Sequence, residues 1–210
     1  MEQPPPKSAL PLGRLEAFSD GVFAIAITLL VLELHVEPGS EAHLLHSILH
    51  EWPSYLAYFT SFLTIGVVWI EHSAITGSLR SADGGLYRLN LLVLLLVGFL
   101  PFPTKLVAEF VGDREPERVA VIFYGITLLA LSFALTAFVR YAAQDRALVH
   151  EHVDSQELEA AMSLSPSGFY VVGILLAFVL PTVAVAAYLA SAVYRGLPAR
   201  TLHRLLWRRD

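Results

Sequence analysis

Five long apolar runs, at roughly 15–34, 53–76, 86–110, 118–142 and 167–195, dominate this chain, and its charges are bunched in the gaps between them. A helix needs about 20 apolar residues to cross the hydrocarbon core of a bilayer. The pattern is therefore that of an all-α, multi-pass membrane protein. Charged residues make up only 16% of the 210, where a soluble domain would carry about 25%. There is no cysteine, which excludes disulfides, thiolate metal sites and cysteine nucleophiles. A net charge of −5, with no basic stripe interleaved with aromatics, argues against a nucleic-acid partner. Pro4, Pro5 and Pro6 precede a first run of full span length with no small-residue cleavage site after it, so that run is expected to remain as a signal anchor.

The last run has Pro181 in its middle. Proline suits the first turn of a helix and breaks an interior, so this run is either one kinked helix or two short helices meeting at Leu180-Pro181. The positive-inside rule decides for the second option. Lys7 and Arg14 put the N-terminus in the cytoplasm, and Arg195, Arg200, Arg204, Arg208 and Arg209 share that side only with an even number of spans. Six segments follow, at roughly 13–35, 53–77, 86–110, 117–143, 166–180 and 181–196, in a single transmembrane domain with a basic cytoplasmic tail at 197–210. The third loop, with Lys105, Arg114 and Arg118, runs against the rule. Residues 144–164 are polar and acidic and read as a short cytoplasmic helix or a solvated loop. The tail sets Leu202, Leu205 and Leu206 against Arg200, Arg204 and Arg208, suited to lying on the bilayer surface or to a disordered tail.

The first run carries the sharpest signal. It reads Arg14-Leu-Glu-Ala-Phe18-Ser19-Asp20 and continues almost without polar residues to Glu33, with Thr28 the exception. Ile25, Thr28, Leu29 and Leu32 fall within about 100° of arc on one helix face. Such a face, repeated about a symmetry axis, gives apolar rings that gate by dewetting and a hydroxyl ring that offers oxygen to an ion. The same face also suits lipid contact or bundle packing, with the threonine bonded to its own helix backbone. Asp20 lies about 140° around the helix from Ile25 and points away from such a pore. Ser19 or Asp20 either caps the helix or makes a polar contact between helices, with Arg14 and His72 as candidate partners of Asp20.

The Arg-x-x-x-Phe-Ser-Asp stretch, together with Trp69-x-x-His72 in the second run, resembles the signature of the lysosomal and bacterial potassium channels related to transmembrane protein 175. The resemblance is close over the first helix and moderate over the second. Many relatives follow the histidine with a second histidine and a basic residue, where this chain has Ser73 and Ala74. The resemblance implies a homotetramer whose first helices line the pore, with the main constriction at Ile25, a threonine layer at Thr28 and further apolar layers at Leu29 and Leu32. It implies a potassium-permeable channel in the plasma membrane, since the lysosomal relatives carry two such units in one chain. Proton leak is a secondary expectation, and no cofactor is implied beyond the permeant K+. Arg14, Phe18, Ser19, Asp20, Trp69 and His72 are then the polar and structural network that holds the first helix.

The predicted outer mouth has no lysine or arginine, while Glu33 and Glu37 sit there and would attract cations in an oligomer. An ordinary solvated loop obeying the positive-inside rule has the same composition. His43, His46 and His50 share i, i+3, i+7 spacing, but no carboxylate completes a tight metal motif and none is assigned. An ion-coupled secondary transporter is the competing reading. Its broken helices have candidates at Pro181 and at Pro101 and Pro103, yet the span interiors lack acidic residues. An enzyme is not supported: Glu71 and His72 are adjacent, but no nucleophile with a base and no metal-hydrolase motif is present.

Overall fold

The computed structural model describes residues 12–34, 43–112, 114–145, 148–150 and 167–196. Eight helices make up these residues: α1 (Leu12–Leu29, closed by a 3-10 turn at Leu30–Glu33), α2 (Leu44–His50), α3 (Trp52–Thr76), α4 (Gly84–Phe99), α5 (Pro101–Phe110), α6 (Arg114–Gln144), α7 (Ser167–Ala177) and α8 (Pro181–Gly196). Four segments are long and apolar enough to cross a membrane: Leu12–Glu33, Trp52–Thr76, Gly84–Phe110 and Glu115–Gln144. Glu37 and the tail at 197–210 lie outside the described residues, as does all but the edge of the acidic stretch at 144–164.

Prolines set the breaks. Pro101 and Pro103 have no N–H for the carbonyls of Val97 and Phe99, so the third long segment is interrupted at Leu100, whose own N–H turns to Val97 O at 3.2 Å. One predicted span is thus two helices, α4 and α5. The predicted break at Pro181 is also present: α7 tightens at its end, with Val179 N–H on Leu176 O, and Pro181 opens α8 at the position where its missing N–H costs nothing.

The two last helices fold back on each other. Phe169 meets Tyr194, Tyr170 meets Arg195, and Gly173 faces the ring of Tyr188, so the start of α7 lies beside the end of α8. With 11 and 16 residues they are about 17 Å and 24 Å long, each short of the roughly 30 Å core. Tyr188 explains two glycines: its ring occupies the space a Cβ would need at Gly125 on α6 and at Gly173 on α7.

Small side chains let α3 sit at the centre. Ser54, Ala57, Ser61 and Thr64 form its buried stripe, and α8, α5 and α1 all pack on this helix. Close backbone approach and hydrogen bonds, rather than water exclusion, hold helices together in lipid. Ser61 accordingly bonds Thr104 of α5 at 2.7 Å and Tyr124 of α6 at 3.0 Å.

Ser19, His72, Asn90 and Phe138 come together, as do Glu71, Tyr170 and Arg195. The start of α1, the end of α3, the start of α4, the end of α6, the start of α7 and the end of α8 therefore lie at one end of the bundle. Arg14, Arg80, Arg88, Arg140 and Arg195 share that end. The opposite end holds the Leu30–Glu33 turn, Lys105, Glu117 with Thr182, and the α7–α8 connection. At the basic end the α3–α4 loop is pinned by an isolated bridge between Leu79 and Val149. Asp83 caps α4 there, accepting Leu86 N–H at 2.8 Å and the Tyr141 hydroxyl at 2.7 Å.

Candidate functional site

The two sides of α1 differ in kind. Leu15, Ser19, Phe23, Ala26 and Leu30 are buried against the subunit's other helices. Ile25, Leu29 and Leu32 are 61%, 42% and 70% exposed, and Thr28 is exposed among them. The four residues that share an arc by helical spacing thus form one open face. The Thr28 hydroxyl donates to the carbonyls of Ala24 and Ile25, both at 2.9 Å. This is the backbone bond that threonine often makes in an apolar helix. It commits the hydroxyl's single proton to the helix, and the oxygen lone pairs that remain can accept only a donor or a cation.

Polar contacts fix the buried side. Ser19 Oγ donates to Leu15 O at 2.8 Å and accepts from Asn90 Nδ2 at 3.0 Å. Asn90 Oδ1 lies 2.7 Å from His72 Nε2, an arrangement that places the imidazole proton on Nε2. The His72 ring stacks on Phe138 of α6 and leans on Phe23 of α1. One turn earlier on α3, Trp69 Nε1 donates to Asp20 Oδ1 at 2.9 Å. Because α1 begins at Leu12, Ser19 and Asp20 lie two turns inside it and neither is its cap.

The partners differ from those suggested by sequence. Asp20 takes the Trp69 indole in place of Arg14 or His72, and His72 takes Asn90. Arg14 is exposed, and among the described residues no hydrogen bond or ion pair of its side chain is found; Phe18 is exposed as well. Asn90 is the residue that sequence reading missed. Its signal was present: a lone amide inside the apolar run 86–110 must find partners or bear the full cost of desolvation. Glu71, which stands beside His72, forms an ion pair with Arg195 and is unavailable for acid–base chemistry with it.

At the other end, Glu33 lies partly buried in the turn that closes α1. His46 and His50 stack at 5.9 Å on the exposed helix α2, and His43 precedes it. Among the described residues no three histidine, cysteine or carboxylate side chains are grouped to hold a metal.

Comparisons with known proteins place this geometry. The profile of the family described as "Endosomal/lysosomal potassium channel TMEM175" matches residues 14–101, which hold all but the first two residues of α1, and Trp69, His72 and Asn90. A potassium channel of Streptomyces collinus is 37% identical over 88% of this chain and 91% of its own. The crystal structure of a lysosomal potassium-selective channel TMEM175 homolog from Chamaesiphon minutus superposes with a TM-score of 0.79, at 38% identity, over 90% of this chain and 97% of that one. The endosomal/lysosomal proton channel TMEM175 of Gallus gallus is 36% identical over 66% of this chain and 28% of its own length.

Proposed function

This chain belongs to the TMEM175 potassium channel family, and from that premise we propose that it conducts K+ passively across the plasma membrane through a pore lined by α1. The observation that carries the proposal is the open face of α1. Three large apolar residues and one hydroxyl stand uncovered on a helix that is fixed to its neighbours by two hydrogen bonds, Asn90 to Ser19 and Trp69 to Asp20. Four subunits about one axis bring four such faces together. Cyclic repetition of one surface is how a small chain encloses a symmetric path.

In this reading the Ile25 ring is the constriction. Its apolar side chains dewet the path, and an ion passes only by shedding part of its water. K+ holds its hydration shell less tightly than Na+ and passes more readily. Thr28 lies one turn away with its hydroxyl proton already committed, so its oxygen faces a cation as an acceptor. Leu29 and Leu32 extend the apolar lining. Glu33, and Glu37 outside the described residues, draw cations to the mouth. Asp20 stays off the path, held by Trp69. Arg14, Arg80, Arg88, Arg140 and Arg195 at one end of the bundle, against Lys105 and Arg118 at the other, support six segments per subunit with both termini cytoplasmic. Relatives named as proton channels support proton leak as a secondary conduction. The family is one of channels, which is not an enzyme class.

Because the chain has no cysteine, Ile25→Cys provides a single thiol on a clean background. The protein in potassium-loaded liposomes is expected to release K+ down its gradient without a coupling ion. In Ile25→Cys that flux should be blocked by a charged thiol reagent. Flux that requires a second ion gradient, or an Ile25→Cys protein that conducts as before once its thiol is modified, would overturn the proposal.

A further inference from the structure

The turn of α3 from Trp69 to His72, one turn short of its end, makes two grips at once. Trp69 and His72 lie about 60° apart on it and reach α1, through Asp20 directly and through Phe23 and the Asn90–Ser19 link. Glu71 lies about 160° from Trp69, facing the other way. There its carboxylate meets Arg195 at the end of α8 in a two-pronged contact: Nε to Oε1 at 3.2 Å and Nη2 to Oε2 at 2.5 Å. The third guanidinium nitrogen, Nη1, donates to the Tyr170 hydroxyl at the start of α7, 2.8 Å away. The pair is largely enclosed, with side chains 10% and 16% exposed.

Planar bidentate pairing of this kind fixes orientation as well as distance. An enclosed pair also resists separation, since parting it leaves a charge without a partner. The α7–α8 hairpin is therefore fastened at its open end to the same helical turn that holds α1. Nothing in conduction through an α1 pore requires this contact: it lies on the far side of α3 from α1. What it does constrain is the position of this turn of α3, and with it Trp69, His72 and the rotation of α1.

We infer that Glu71, Arg195 and Tyr170 form a latch that sets the open–closed equilibrium of the channel by fixing α3 against α1, so that they are positioning residues for gating and not part of the ion path. The inference rests on the channel reading above. Coupling of this sort acts through a packed element with two arrangements, and its usual size is a shift of about fivefold or more in an equilibrium. A latch removed from either side should displace the same equilibrium in the same direction. Unitary conductance and ion selectivity belong to the α1 face and should stay as they are.

Single-channel recording in planar bilayers tests this on the full chain, with assembly of each variant checked by size-exclusion chromatography. Glu71→Gln and Arg195→Gln are expected to change open probability by about fivefold or more, both in the same direction, with unitary current and reversal potential unchanged. The exchange E71R/R195E, which restores the opposite charges, should bring open probability back toward that of the parent, and Tyr170→Phe should show a smaller shift of the same sign. If the single variants fail to assemble, the exchange decides: parent-like gating supports the latch, and altered gating overturns it. A conducting parent whose single variants open as it does would overturn the latch alone. A parent with no potassium current would overturn the channel reading and the latch with it.

Discussion

The buried side of α1 carries Ser19, bonded to Asn90 and through it to His72; the open side carries Ile25, Thr28, Leu29 and Leu32, all exposed. Both belong to one helix of 18 residues and the turn that closes it. The buried side is specified by hydrogen-bond geometry, where each donor has one acceptor at one distance. The open side is specified only by being apolar and by placing one hydroxyl. A helix in lipid has no strong preference for which face it turns inward unless polar groups decide it. The Ser19–Asn90–His72 link and the Trp69–Asp20 bond make that decision, and so determine which residues of α1 are left uncovered.

Substitutions should therefore separate stability from conduction according to the side they touch. The largest effect on stability is expected at Asn90→Leu. It leaves the His72 Nε2–H without a partner inside the bundle, at about 1–3 kcal/mol, and takes the Asn90 donor from Ser19 Oγ, which keeps its own bond to Leu15 O. Thermal unfolding of the detergent-solubilised protein should show a marked loss, and an unchanged melting temperature would break the comparison at its base.

Next comes Asp83→Ala at the head of α4, the helix that carries Asn90. Loss of this cap should cost about 1 kcal/mol. The Leu86 N–H bond, helped by the Tyr141 hydroxyl, holds the Asp83 carboxyl below its ordinary value of 3.8 despite some desolvation. A depressed carboxyl contributes stability that is complete above the unfolded value and is lost as pH falls through the folded one. The stability difference between parent and Asp83→Ala should be flat above about pH 5 and shrink in stronger acid. A difference that grows on acidification would contradict the assignment.

Trp69→Phe keeps an aromatic ring and removes the indole donor to Asp20. It should cost about 1 kcal/mol or less, because Asp20 is exposed and water or headgroups replace part of the bond. Smallest of all on stability is Ile25→Ala, expected within about 0.5 kcal/mol for the subunit fold because its side chain is 61% exposed. That same change should alter ion current more than any of the others.

Much of this was legible in the sequence. Apolar length located the membrane-crossing helices, Pro181 marked the break between α7 and α8, and helical spacing grouped Ile25, Thr28, Leu29 and Leu32. Each of these is local, carried within a few turns of chain. The polar pairings are not local. Ser19 and Asn90 are 71 residues apart, and Glu71 and Arg195 are 124 apart. No periodicity encodes which buried polar group meets which, so neither the Trp69 partner of Asp20 nor the Glu71 partner of Arg195 can be read from spacing. The interruption at Leu100 was visible as a proline pair, but whether two prolines stop a helix or bend it depends on what packs beside them. Here α3 and α6 both pack against α5.

The central claim is that ions pass the Ile25 side chains. The direct test is the reversal potential in a planar bilayer with K+ on one side and Na+ on the other, for the parent and for Ile25→Asn. The account predicts a potassium-selective parent and a reversal potential that moves toward zero in the variant, as a polar ring lets hydrated Na+ through. A reversal potential indifferent to Ile25 would contradict it, and would place the ion path somewhere other than the open face of α1.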